Sequence, residues 1–330
     1  MTILTRLAAG AAALALTAGV SSADPALIFD LGGKFDKSFN EAAYAGAEKW
    51  KAETGGAYKE LEMQSEAQRE QALRRLAETG ANPIVMTGFA FGETLTKVAP
   101  DYPDTKFVII DTKIDLPNVQ SNVFADEQAS YLAGVMAAKA TKTNTVGFIG
   151  GMDVPLIRNF GCGYVQGVKS VNPDIKVIQN MTGTTPAAWN DPVKGAELAK
   201  AQKGQGADVI YAAAGGTGIG VLQAAADEGI LSIGVDSNQN HLHPGKVLTS
   251  AVKRVDNAVY DAFKAGADVQ VGVTNVWDVP HDGVGVAMDD NNKPLVTEEM
   301  AKAVDDARAA ITSGSLQVVN YNTANSCPVQ

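Results

Sequence analysis

The chain has 330 residues, 45% of them hydrophobic, and 37 acidic side chains against 27 basic ones give a formal charge of −10. That length and apolar content suffice for one large domain or two lobes with a sizeable core. The acidic balance, with no basic stripe, excludes a reader of phosphate backbones, which needs Lys and Arg in excess on one face, so no nucleic-acid partner is expected.

Residues 1–23 read as an export signal. Arg6 precedes the apolar segment Leu7 to Leu16, and the small residues Ser21 and Ala23 suit cleavage before Asp24. No cysteine lies near that junction, so no lipid anchor is expected. Beyond Ala23 no run approaches the roughly 18–20 apolar residues of a membrane span, which points to a periplasmic or secreted bacterial protein. The two cysteines, Cys162 and Cys327, both lie in the exported part. An even count in an oxidising compartment favours a disulfide fastening the tail, Asn320 to Gln330, onto the segment around Cys162; two separate buried thiols are the alternative.

From Ala26 onward, short β-branched runs alternate with amphipathic helices. Ala26–Phe29 reads as a strand, and Ser38 followed by Glu41 reads as a capping box opening a helix over about Phe39 to Thr54. A second capping box, Ser65 to Gln68, introduces a helix carrying Leu73 and Leu76, ended by Gly80. Pro83–Thr87 and Lys106–Asp111 are strands, separated by the loop Gly88–Gly92 and a helix. This βαβα order predicts a mostly parallel sheet covered by helices.

A second, similar series starts near Asp126. Its helices are expected over Gln128–Lys142, Arg158–Ser170, Pro192–Gln202 and from Gly218 through Asp227, and its strands over Thr145–Ile149, Ile175–Gln179, Asp208–Ala212 and Leu231–Asp236. After Asn240 the chain is expected to revisit the first lobe through the strand Val247–Val252, a helix from about Asp256 to Ala265, and a strand near Gly283–Met288. A last helix, Thr297–Thr312, precedes the tail. The division is therefore residues 24–125 plus about 247–290 for an N-terminal lobe, and 126–246 plus about 291–330 for a C-terminal lobe.

The loops at the carboxyl ends of these strands collect the side chains of interest: Phe39, Asn40, Phe89, Asp111, Trp189, Gly215 to Gly218, Asp236 and Lys253. That is the end of an open α/β sheet where ligands bind. A strand-end aspartate can equally cap the following helix, but Asp111 and Asp236 terminate corresponding strands of two similar lobes. The loop Gly215-Gly-Thr-Gly-Ile-Gly220 fails the G-x-G-x-x-G spacing, since Val221 stands where the third glycine belongs, and no G-x-x-x-x-G-K-[ST] occurs. Gly161 to Gly167 also misses the spacing and reads as helix packing.

Catalysis has little support. His241 and His243 share a Pro/Gly-containing loop, His281 stands alone, and there is no G-x-S-x-G, H-E-x-x-H or C-x-x-C. No enzyme, no metal and no cofactor are expected.

The stretch Asp30-Leu-Gly-Gly-Lys-Phe-Asp-Lys-Ser-Phe-Asn40 resembles the signature D-x-G-G-x-x-D-K-S-F-N of the basic membrane protein family, the PnrA-like substrate-binding proteins of ABC transporters. The resemblance continues in order through Val108–Asp111, Trp189–Pro192, Ala214–Gly218, Ile233–Asp236 and Ser250–Lys253. It implies a type I periplasmic-binding-protein fold, with two Rossmann-like α/β lobes joined by a hinge and closing over a purine nucleoside, and partners in an ABC permease and its ATPase. By position, Phe39 and Trp189 would sandwich the base, Asn40 and Asp111 would read its edges, and Asp236 with Lys253 would hold the ribose. The backbone of Gly215 and Gly216 would assist, with Ser38 and Phe89 completing the set. Trp189 stands where many members have Phe, and the lipid-attachment cysteine of many members is missing. Two rivals are open: a binder of another small polar ligand such as a sugar, and a nucleoside-acting enzyme.

Overall fold

The computed structural model describes residues 23–329, so the expected export signal, Ala23 apart, lies outside the described residues. Two six-stranded sheets organise the chain. The first contains β1 (Ala26–Phe29), β2 (Lys59–Glu62), β3 (Ile84–Met86), β4 (Phe107–Ile110), β5 (Val119–Phe124) and β11 (Val273–Trp277), in the order β11-β5-β4-β3-β1-β2 and parallel throughout. The second contains β6 (Thr145–Met152), β7 (Lys176–Gly183), β8 (Val209–Ala213), β9 (Leu231–Asp236), β10 (Val247–Lys253) and β12 (Val284–Val286), in the order β12-β10-β9-β8-β6-β7. There only the β10–β12 pair is antiparallel.

The two sheets repeat one topology. In each, the strand order reverses beside its first strand, between β1 and β3 and between β6 and β8, and such switch points open a crevice at the carboxyl edge. The helices that follow these first strands are α1 (Phe39–Thr54) and α5 (Pro155–Val171). The first lobe is completed by α2 (Arg69–Glu78), α3 (Gly92–Val98) and α8 (Val255–Ala265); the second by α4 (Asp126–Ala140), α6 (Pro192–Gly204), α7 (Thr217–Asp227), α9 (Glu298–Thr312) and α10 (Tyr321–Ala324).

The strand Val247–Lys253 does not return to the first lobe as expected. It pairs in parallel with β9, and the chain crosses only after Lys253, where α8 packs on α1 and β11 joins β5. The chain crosses back before β12, which pairs with β10. Alternation of apolar residues marks β10 as a buried strand but carries nothing about which sheet it joins. Three crossings, after Phe124, Lys253 and Trp277, therefore connect the lobes, and Ala125 N–H bonds the Trp277 carbonyl where two of them run side by side.

Strands β2 and β5 escape the sequence reading because their polarity hides them, and β11, an exposed edge strand, escapes it as well. β5 buries Gln120, Ser121 and Asn122. Gln120 Nε2 donates to the Gln270 carbonyl at 2.9 Å, and Asn122 Oδ1 accepts from Trp277 Nε1 at 2.9 Å. Buried polar groups are tolerated only with such partners.

The second lobe's core is anchored by Phe148, Tyr164 and Tyr211, all fully buried and in mutual ring contact. Phe148 contributes on the order of 1.5–3 kcal/mol by burial. The expected packing role of the Gly161–Gly167 segment holds: Gly163 and Gly167 of α5 lie directly against the backbone of Glu127 and Tyr131 in α4, where a Cβ would collide. On its other side α5 holds the tail. Cys162 is bonded to Cys327 with 5.6 Å between their Cα atoms. Gln166 exchanges two hydrogen bonds with Val319, and Tyr321 N–H donates to Asn159 Oδ1 at 2.7 Å.

Candidate functional site

Both switch points open onto one cleft between the lobes, which together with its mouth encloses about 640 Å³. The first lobe contributes the loop Asp30–Gly32, the start of α1, Gly88 with Phe89, and Asp111. The second contributes the start of α5, Trp189, Ala213 with Gly215, Val235 with Asp236, and Lys253. A cleft that is mostly apolar with a few convergent charged groups has the character of a small-molecule site.

The start of α1 is built differently from a capping box. Ser38 makes no side-chain cap. The carboxylate of Asp36 does so instead: Oδ1 accepts from Ser38 N–H at 2.8 Å and Glu41 N–H at 3.1 Å, and Oδ2 accepts from Asn40 N–H at 3.0 Å. Burial pushes Asp36 up to about 7 against the downward pull of these three bonds. The second expected box fails in the same way, since α2 starts at Arg69 after a short 3₁₀ turn and Ser65 caps nothing.

Released from capping, Ser38 reaches the other lobe, where its Oγ donates to Asp236 Oδ2 at 2.5 Å. Ser38 is fully buried and lies behind the cleft surface rather than on it. Asn40 lines the cleft, but both of its N–H donors are engaged, by the Asp30 and Gly33 carbonyls at 3.2 Å each, while Oδ1 accepts from Thr87. Its amide therefore shapes the 30–33 loop and leaves a ligand only an acceptor lone pair.

Asp111 follows β4 and Asp236 ends β9, and both adopt positive φ, 73° and 61°. Non-glycine residues hold this conformation at some cost, and such residues cluster at functional sites. Lys253, from the end of β10, stands between them. Its Nζ lies 2.6 Å from Asp111 Oδ1 in the first lobe and 3.3 Å from the carboxylate of Asp126, the first residue of α4. The rings of Phe39, Phe124 and Phe160 surround the same ammonium at 4.9–5.4 Å, within cation–π range. Burial alone would depress Lys253; the charges of Asp111, Asp126 and Asp236 more than offset it and hold the lysine above its usual value. Burial raises Asp236, with Lys253 and the Ser38 hydroxyl pulling the other way, and it raises Asp126 well above the carboxylate range.

Trp189 closes the opposite side. It ends a 3₁₀ turn, and its loop is tied to α7 by Thr217, whose hydroxyl donates to the Ala188 carbonyl and accepts from Asp191 N–H. The indole lies on Gly151 so closely that a Cβ there would fall within 3.0 Å of three ring atoms. Gly215 lines the cleft beside it, while Gly216 stands behind, against the Trp189 carbonyl and Gly32.

Sequence reasoning missed Leu156, Ile157 and Phe160, which line the cleft from α5, as well as Asp126 and the role of Asp36. The repeat offered a signal: α5 follows the first strand of its sheet as α1 does, so its first turns occupy the position that presents Phe39. The histidines are not among the cleft residues. Among the described residues, no group of three or more His, Cys, Asp or Glu could hold a metal ion.

The chain matches, over residues 25–319, the family model of the PnrA-like ABC transporter substrate-binding proteins. It is 35% identical over 318 residues to the ABC transporter nucleoside-binding protein BmpA of Lactococcus lactis, covering 89% of this chain and 88% of that one. It is 34% identical over 261 residues to an uncharacterized lipoprotein of Pyrococcus abyssi, covering 74% and 63%. The crystal structure of an ABC transporter solute-binding protein from Aeropyrum pernix superposes with a TM-score of 0.82 at 28% identity, over 90% of this chain and 93% of that one. The periplasmic component of a sugar transport system from Hahella chejuensis shares the fold alone, with a TM-score of 0.61 at 15% identity over 80% and 100%. These likenesses identify a type I solute-binding fold, and members of the family are binding proteins rather than enzymes. With two α/β lobes enclosing a charged and aromatic cleft, the chain belongs to the Bmp family of PnrA-like ABC transporter substrate-binding proteins.

Proposed function

We propose that the cleft binds a purine nucleoside and that the loaded protein delivers it to an ABC permease and its ATPase. The observation that carries the reading is the placing of aromatic walls, Phe39, Phe89, Trp189 and Phe160, in one cleft with Asp236 and Lys253. A flat heterocycle stacks on such rings for about 1–3 kcal/mol per face. Asp236 retains acceptor capacity beyond its bond to Ser38, which suits a sugar hydroxyl as donor. Asp111 faces Lys253 and supplies a carboxylate toward the ligand from the other lobe. The nucleoside-binding name of the Lactococcus relative supports the same ligand class.

Ligand groups touching both lobes would favour the closed form by their differential affinity, and the three crossings between the sheets are the hinge about which the lobes move. The leader-like residues 1–23 support an exported, periplasmic protein. Because relatives include named lipoproteins, the expectation of an unanchored protein does not extend to the family.

Calorimetric titration with adenosine, guanosine and inosine tests the reading. Binding of at least one, weakened at least tenfold by Asp236→Ala and at least a hundredfold by Phe39→Ala together with Trp189→Ala, is expected. No heat with any nucleoside would remove the nucleoside claim. Denaturing protein purified from cells and recording the spectrum of what is released separates an ultraviolet-absorbing purine from a free sugar.

A further inference from the structure

We propose that Asp36 makes the cleft select the uncharged nucleoside over its 5′-phosphate, by setting the protein's own carboxylate where a ligand phosphate would dock. The inference rests on the nucleoside reading above. In α/β folds the helix that follows the first strand at a switch point presents unpaired backbone N–H groups, and phosphates bind there. In this chain that helix is α1, at the cleft, and its first-turn donors at Asn40 and Glu41, with Ser38 N–H just before them, are taken. Asp36 holds the N–H groups of Ser38, Asn40 and Glu41, and the Glu41 carboxylate holds Lys37 N–H at 3.1 Å. Asp36 is 5% exposed and forms part of the cleft wall.

The charges of the cleft point the same way. Asp30, Asp36, Asp111 and Asp236 line it together with one ammonium, Lys253. Lys253 is committed to Asp111 and Asp126, and Asp30 is held from behind by Arg69, whose Nη2 lies 2.8 Å from Oδ1. The second lobe offers little in exchange. Helix α5 begins with Pro155, which has no N–H, and in α7 the N–H groups of Gly218 and Ile219 turn back to the Gly215 and Gly216 carbonyls. A phosphate dianion entering this cleft would meet carboxylates, with the one lining ammonium already committed, and like-charge juxtaposition discriminates strongly between partners.

The test is calorimetry on the full mature chain at pH 8, above the value of about 7 to which burial pushes Asp36, with adenosine, adenosine 5′-monophosphate and the neutral 5′-O-sulfamoyl adenosine, which resembles the phosphate in bulk. The wild type is expected to bind the monophosphate at least about 100-fold more weakly than the nucleoside, with the sulfamoyl compound within tenfold of the nucleoside. Asp36→Asn keeps the side-chain shape and removes the charge; it is expected to narrow the nucleoside-to-monophosphate ratio at least tenfold. The proposal is overturned if the wild type binds the monophosphate within tenfold of the nucleoside, if it rejects the sulfamoyl compound as strongly as the monophosphate, or if a folded Asp36→Asn protein keeps the full ratio. The three wild-type ligands can overturn the proposal even should the variant fail to fold. Absence of binding by adenosine, guanosine and inosine alike overturns the nucleoside reading first and this inference with it.

Discussion

Replacing Lys253 by methionine keeps the length and apolar stem of the side chain while removing the ammonium that faces Asp111 and Asp126. The exposures of the three side chains are 3%, 6% and 1%, so water does not replace the lost partner. Removing one partner of a buried pair typically costs about 3–5 kcal/mol, because the remaining charge stays buried without compensation. Methionine is accommodated by the Phe39, Phe124 and Phe160 rings, so cavity formation adds little. The pH dependence separates charge from packing. Lys253 is held above its ordinary value in the folded protein, so the ammonium is fully charged below the unfolded value near 10.4 and its own titration adds no pH dependence between pH 4 and 8. Asp126 and Asp236 are raised by burial, so the folded protein binds protons that the unfolded chain has released. Without the ammonium these carboxyls rise further and accept protons as the pH falls, and neutral acids no longer need Lys253. Urea denaturation of wild type and Lys253→Met, followed by circular dichroism at pH 7.5 and pH 4.5, should therefore show a loss of about 3–5 kcal/mol at the higher pH that shrinks to less than half at the lower. A loss below about 1 kcal/mol at pH 7.5, or one of equal size at both pH values, would refute the reasoning.

Two other substitutions test the second lobe. Gly151→Ala sets a methyl against the Trp189 indole and should displace the ring into the cleft; with overpacking worth about 1–3 kcal/mol, nucleoside affinity falls roughly ten- to hundredfold, and adding Trp189→Phe restores most of it. Failure of the second substitution to restore binding would show that Gly151 acts elsewhere. Serine at both Cys162 and Cys327 should lower stability by about 2–4 kcal/mol while preserving the fold, since the tail is also held through Gln166 and Asn159. A thiol reagent applied to denatured, unreduced wild type should find no free thiol.

Much of the site was legible because strand-end positions announce themselves. Apolar runs ending in Asp111, Asp236 and Lys253, and the aromatic and glycine loops after other strands, identified the carboxyl edges of two sheets from alternation alone. What alternation lacks is partner choice. Asn40 looked like a free amide at a helix mouth, and only the folding of the 30–33 loop over it consumes its donors. Ser38 and Glu41 had the spacing of a capping box, yet Asp36, two residues before the serine, competes for the same N–H groups with two carboxyl oxygens and takes them. Phe160 sits mid-sequence in a helix that reads as packing, and its neighbours Asn159 and Cys162 do serve the tail.

The sequence by itself determined that this is an α/β chain of two similar series, where its apolar strands end, and many of the polar and aromatic residues that gather at those ends. These properties are local: periodicity, turn chemistry and strand length are written within a few residues. The tertiary structure decided that β10 stays in the second sheet, that Lys253 is shared between Asp111 and Asp126, and that Ser38 bridges to Asp236. Each of these joins residues more than a hundred positions apart or chooses between sheets of equal apolar character, and only the packed molecule brings such groups within bonding distance.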